Sequence, residues 1–333
     1  QRLIVMLGGI IVNVIVGILV FWMLVFKYGD SDFDNTKLYG VKPGLIGEKI
    51  GLVEGDKIIA VNGNPANFYL KDLMTSEVLM GDAVLKVERQ GQLIDITLPS
   101  TMLNDVADHK KNEFVTPIFK MLPVDTVAED TRAEKMGLKK GDSILAINGV
   151  KVERLDEFQN EVAKNRGKAI TLDIFRGADS LQLVAAADTS SIIGFDNRPF
   201  VMRTYSFAES FPIGVNKAFS IVTDNVKGFG KIFKGEVRAD KALSGPVGIA
   251  KMFGNEVDWT RFWNLVGMLS MALAFMNLLP IPALDGGHVV FLLVEMIQGK
   301  PLSDKFLETA QMIGFFILIA LMLFTFGNDI IKW

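Results

Sequence analysis

Apolar positions divide the chain into segments with different solvent demands. Residues 3–26 carry no charged side chain and end at Lys27-Tyr28, while residues 262–284 and 310–327 are almost as apolar. Each stretch is at or near the ~20 residues that a helix needs to cross about 30 Å of hydrocarbon, so three membrane helices are predicted. A secretory signal would show a basic start, a shorter apolar core and a small-residue cleavage site, whereas the first stretch runs for more than twenty residues, so it reads as a span. Between 206 and 236, Phe207, Phe211, Val215, Phe219, Val222, Val226, Phe229 and Phe233 recur every three or four positions. Lys217, Lys227, Lys231 and Lys234 fall between them, and Pro212 lies near the start. This spacing predicts an amphipathic helix that either lies on the bilayer surface or packs within the protein.

The region between the first two apolar stretches contains an internal repeat. Residues 48–63 and 134–149 share Glu-Lys-x-Gly-Leu-x-x-Gly-Asp-x-Ile-x-Ala-x-Asn-Gly, identical at ten of sixteen positions. Each copy predicts a short helix ended by Gly51 or Gly137, a Gly-Asp turn, a strand (58–61 or 144–147) and an Asn-Gly turn suited to positive φ. A helical stretch and two strands follow each copy, at 84–89 with 93–98 and at 170–176 with 181–185. This order, with its Gly-Leu-x-x-Gly-Asp-x-Ile core, resembles bacterial PDZ domains. The resemblance implies a sheet edge beside a helix, where an extended peptide can add as a strand. The alternative is a bulky spacer or steric filter.

Composition narrows the setting. Half of the 333 residues are hydrophobic, more than a soluble globule of this size needs. The net charge is −3 and the basic residues are scattered, which leaves no nucleic-acid footprint. Cysteine is absent, excluding disulfides and zinc-thiolate sites. Of the two histidines, His109 lies in a polar joint and reads as a solvated linker residue.

Chemistry concentrates at residues 275–288. Between residues 262 and 294 the only formally charged side chain is Asp285. A charge at membrane depth costs at least ~2.5 to 3.5 kcal/mol on insertion scales, so it marks a functional site by default. Pro280 and Pro282 break the helix between Asn277 and Asp285. Unwound backbone at that depth is tolerated only where protein or a water-filled cavity satisfies it, so Asn277 and the freed carbonyls are expected to line a polar pocket. Asp285 and the pair Gly286-Gly287 would close its far end, and a carboxylate there suits a cation such as zinc. His288 shares a helical face with Asp285, which permits either metal ligation or a packing or supporting role. Asn13, flanked by Gly9 and Gly17 at four-residue spacing, forms a small polar stripe that close helix packing explains.

The pattern Asn-x-x-Pro-x-Pro-x-x-Asp-Gly at residues 277–286 resembles the motif of site-2 proteases, which are intramembrane zinc metalloenzymes. Gly8 to Asn13 resembles the Gly-x-x-x-Asn pattern of that family's second membrane helix, and Ser244 to Ile249 the segment before its third. The resemblance implies Asp285 as a Zn2+ ligand, Asn277, Pro280 and Pro282 as substrate-binding residues, and Asn13, Gly286 and Gly287 as supporting residues. It implies a multi-pass α-helical membrane protein with two inserted PDZ-like α+β domains. The expected division is a transmembrane helix at 1–29, modules at 30–105 and 106–192, an amphipathic segment at 193–258 and membrane helices at 259–333. Tandem modules resemble the branch that cleaves single-span anti-sigma factors, implying the bacterial inner membrane, periplasmic modules, and a lipid bilayer and possible peptide ligands as partners. Signal-peptide remnants are a further substrate class.

The family's His-Glu-x-x-His, which supplies two zinc ligands and a general-base Glu, does not occur in this sequence. The expectation is that its helix precedes Gln1 in the full-length protein and that the chain as given is inactive. A non-catalytic membrane adaptor binding peptide termini is the rival reading, and it needs no intramembrane Asp. A transporter with a broken-helix site would show a second Pro-interrupted apolar segment, and none appears.

Overall fold

A computed structural model describes residues 2–108, 113–188 and 193–331, with side chains described from residue 7; His109 lies outside the described residues. The chain divides into two compact units, residues 1–30 with 202–333 and residues 31–201.

The first unit is helical. Its N-terminal helix Arg2–Tyr28 packs against the helices Phe207–Phe233 and Trp259–Leu278, which also meet each other. Phe21, Leu24, Ala218 and Met271 form the buried centre of this packing. Among the described residues two helices are long and apolar enough to cross a membrane, Leu7–Tyr28 and Asp304–Ile331. The apolar stretch at 262–284 does not form one continuous helix. It stops at Leu278, because Leu279 turns extended (φ −62°, ψ 142°) ahead of Pro280, which has no amide to donate.

The amphipathic helix Phe207–Phe233 begins with a capping box. Ser206 Oγ accepts from the Glu209 amide, and the Glu209 carboxylate accepts from the Ser206 amide at 2.9 Å. Its small residues Ser210, Gly214 and Ala218 are buried. Gly214 faces the Trp22 backbone so closely that an added Cβ would lie 2.5 Å from Trp22 Cα. Trp22 donates through Nε1 to the Phe207 carbonyl and to Ser210 Oγ, tying the two helices together. Phe211, Phe219 and Val226 stay exposed, so one stripe of the helix packs inside the unit and another remains open.

The C-terminal helix Asp304–Ile331 has little buried surface of its own and is held by polar contacts at its end. Asp329 is 6% exposed and accepts from the amides of Gly245 and Gly248, at 3.0 and 2.9 Å. Asn328 donates to the Asp240 and Leu243 carbonyls. The Ser-Gly-Pro-Val-Gly segment is therefore wrapped around a buried carboxylate.

The second unit has two hydrophobic cores, one over residues 38–115 and one over 124–193. Each carries a four-stranded antiparallel sheet whose longest pairings are Val84–Arg89 with Gln92–Thr97, and Ile170–Arg176 with Asp179–Ala185. The repeated residues do the same work twice. Asn62 and Asn148 take φ of 50° and 48° ahead of Gly63 and Gly149, and their side-chain carbonyls accept from the Val84 and Thr171 amides. Asp56 receives a two-pronged hydrogen bond from Arg89 at 2.8 and 2.7 Å, and Asp142 receives the same from Arg176 at 2.8 Å on both prongs. Both Asp side chains are fully buried, and each also caps its turn by accepting the amide three residues earlier, Val53 or Lys139.

The module boundary differs from the expectation at 105/106. Phe114 and Val115 belong to the first core, and the strand Val115–Phe119 pairs with Leu38–Pro43. Tyr69 Oη fixes this closure by donating to the Val115 carbonyl at 2.6 Å. Arg154 bridges the two modules, donating to Glu54 at 2.8 Å, pairing with Asp156 and lying 5.5 Å over the Tyr39 ring.

The Arg176 guanidinium holds the Asp142 carboxyl below its usual value of 3.8, with the Lys139 amide assisting and burial opposing. A carboxyl whose folded pKa is depressed contributes stability above its unfolded pKa and loses it as pH falls through the folded one. Asp142→Asn is therefore expected to destabilise the second module by roughly 2–3 kcal/mol at neutral pH. The gap from the parent protein in thermal unfolding should shrink as pH drops below 3.8. A gap that is constant with pH would contradict the ion pair's role.

Candidate active site

Two turns replace the helix between Asn277 and Asp285. Ile281 N donates to the Leu279 carbonyl at 2.7 Å and Leu284 N to the Ile281 carbonyl at 3.0 Å, so Pro280 and Pro282 fall where no helical amide is needed. Ala283 sits between these turns at φ +82°, a left-handed conformation that a residue with a Cβ adopts only at a cost of about 1–2 kcal/mol. The helix Asp285–Gln298 then starts with Asp285 as its first residue. There the unpaired amides and positive end of the helix dipole favour an anionic side chain.

This broken segment is packed by backbone against backbone. Gly286 and Gly287 are buried, and an added Cβ on either would strike the carbonyls of Leu278 and Leu279 or of Ile281. From the other side, Gly314 of the C-terminal helix lies directly on the Pro282 carbonyl, with no room for a side chain. The Asp285 carboxylate itself reaches the N-terminal helix, where a Cβ on Gly9 would lie 3.0 Å from Asp285 Oδ2.

The residues expected at the site are distributed along this arrangement. Asn277 is half-buried in the last turn of Trp259–Leu278. Pro282 is half-buried and Pro280 exposed. Asn13 lies one helical turn beyond Gly9, so it shares the face that meets Asp285. His288 is half-buried on the turn after Asp285, and its ring stands edge-on to Phe291 at 6.2 Å. The small-residue spacing around Asn13 shows in the sequence, but that Gly9 seats a carboxylate does not. Gly314 is not legible in the sequence either, because a glycine in an apolar helix carries no sign of which turn it will face.

Asp285 supplies one carboxylate donor of a kind that zinc accepts. Among the described residues no three His, Asp or Glu side chains gather as a metal-ligand set. A zinc site needs three protein ligands, so the donors present fit one corner of such a site.

The strain at Ala283 is directly testable. Ala283→Gly is expected to raise thermal stability by about 1 kcal/mol through relief of the positive φ. No gain in a melting experiment would mean that the turn does not hold that conformation.

The model of peptidase family M50 matches residues 1–321. The regulator of sigma-E protease RseP of Salmonella typhimurium is 24% identical over 359 residues, covering 99% of this chain and 78% of that protein. The zinc metalloprotease RasP of Shouchella clausii is 34% identical over 210 residues, covering 61% of this chain and 50% of that protein. Protease RseP of Yersinia pestis is 30% identical over 221 residues, covering 61% and 49%. A family match across nearly the whole length, with an Asp-bearing helix break in a unit of apolar helices, leads to one conclusion: the chain belongs to peptidase family M50, the site-2 type of membrane metalloprotease.

Proposed function

We propose that this chain belongs to a multi-pass intramembrane zinc protease that cleaves the transmembrane segment of a single-span membrane protein. The anchoring observation is the Asp285 carboxylate, placed at a helix N-terminus directly after a proline-broken segment and reaching across to the N-terminal helix. An ionisable group so placed in an apolar helical unit calls for a cationic partner. Zn2+ is the cation that the named relatives suggest, with Asp285 as one ligand. Bound zinc would supply an acidified water and a polarised peptide carbonyl.

The chain's own residues handle the substrate. A peptide bond within a helix is shielded by its own hydrogen bonds, so the substrate must be opened before attack. Asn277 and the backbone around Pro280 and Pro282 provide amide and carbonyl groups that are not consumed by a helix and can hold a strand extended. Asn13, Gly286 and Gly287 hold the surrounding backbone and helix face in place.

The repeat modules are read as PDZ-like domains on the periplasmic side of a bacterial inner membrane, selecting substrates by an exposed peptide end. Their repeated Asp–Arg clamps and four-stranded sheets support this reading. A groove of about 540 Å³ also runs between the strand Val115–Phe119 and the helix Leu155–Lys164, with Phe195 and Arg198 in its wall. A strand edge beside a helix is the arrangement that accepts an extended peptide. Anti-sigma factors and signal-peptide remnants are the substrate classes that fit.

In the full-length protein, Asp285→Asn is expected to abolish cleavage of a membrane-spanning reporter by at least about 10²-fold while leaving expression and membrane insertion unchanged. Undiminished proteolysis by this variant would refute the assignment.

A further inference from the structure

Gly8 and Gly9 are adjacent on the N-terminal helix, yet their surroundings differ. A Cβ on Gly8 would meet nothing within 4 Å. A Cβ on Gly9 would meet, among the described residues, a single atom within that radius, Asp285 Oδ2 at 3.0 Å. The other glycines of these helices meet something different. Gly17 faces the Met271 side chain and Gly267 faces Phe21 and Val20, as expected where glycine lets two helices approach. Gly9 is itself exposed, so helix packing inside the described protein does not account for it. A glycine inside a helix costs about 1 kcal/mol relative to alanine, and the one thing close enough to require that cost at residue 9 is the carboxylate oxygen.

We propose that Gly9 is a positioning residue for Asp285: its bare Cα is the seat on which the carboxylate rests, and a methyl group there displaces Asp285 Oδ2. This deepens the proposed function and rests on the reading of Asp285 as a zinc ligand. Ordinary contact between a Cβ and an oxygen begins near 3.4 Å, so alanine at residue 9 pushes Oδ2 by several tenths of an ångström or turns the side chain. Metal–ligand distances are held within about ±0.2 Å, so a shift of that size degrades the site even though the ligand is still present.

The test uses full-length protein in detergent and two separate measurements. In competition with a chelating dye for Zn2+, Gly9→Ala should lose about tenfold or more in zinc affinity, the scale seen when a ligand's support is removed. Gly8→Ala should match the parent protein. Equal affinity for Gly9→Ala, or an equal loss in Gly8→Ala, would overturn the proposal. The second measurement is a double-mutant cycle in thermal unfolding of chelator-treated, metal-free protein, which removes any contribution from bound zinc. Gly9→Ala should lower the melting temperature in the parent background and raise it slightly beside Asp285→Ser, whose shorter side chain vacates the Oδ2 position and leaves only alanine's better helix propensity. A Gly9→Ala protein that folds only in the Asp285→Ser background supports the seat equally. Equal loss in both backgrounds, including failure to fold in both, assigns Gly9 to helix packing and contradicts it. A parent protein that binds no zinc while the cycle shows coupling would sink the metal reading and leave the seat standing.

Discussion

A carboxylate in an apolar helical unit needs a partner for its charge and a backbone that holds it toward that partner. Around Asp285 that backbone is shaped by prolines and glycines. Pro280 and Pro282 end one helix without leaving amides unpaired, and Gly286 and Gly287 let the next helix fold back onto the carbonyls of the break. Gly314 presses on Pro282 from the C-terminal helix, and Gly9 leaves the carboxylate its place on the N-terminal helix. The left-handed Ala283, itself exposed, is strain held in the turn that leads into Asp285.

The C-terminal helix becomes part of the site through the same logic. It buries little apolar surface, so hydrophobic packing alone does not hold it to the other helices. Its position comes from Gly314 against the broken segment and from Asn328 and Asp329, which satisfy the carbonyls and amides of residues 240–248. The segment after the amphipathic helix is thereby tied, through one helix, to the turn that presents Asp285.

The sequence made the repeat modules and the chemistry of the break legible, because both depend on residues with few conformational alternatives. Asn-Gly and Gly-Asp turns specify backbone, and two prolines around one charged residue specify a break. The three-dimensional partners were not legible. Arg89 and Arg176 lie more than thirty residues from the Asp they clamp, and the strand Val115–Phe119 crosses the boundary expected from the repeated modules to close the first core. The amphipathic periodicity of residues 207–233 left surface and interior packing open, and the deciding residues were the small ones, Ser210, Gly214 and Ala218, rather than the phenylalanines. Gly9 and Gly314 likewise reveal their purpose only by what approaches them.

The central claim is that Asp285 holds a metal ion against the N-terminal helix. Anomalous diffraction at the zinc edge from crystals of the full-length protein examines it without reference to activity. The account predicts one strong peak within bonding distance of an Asp285 carboxylate oxygen, about 2.0–2.2 Å away. A peak bound elsewhere, or none in zinc-replete crystals, would contradict it.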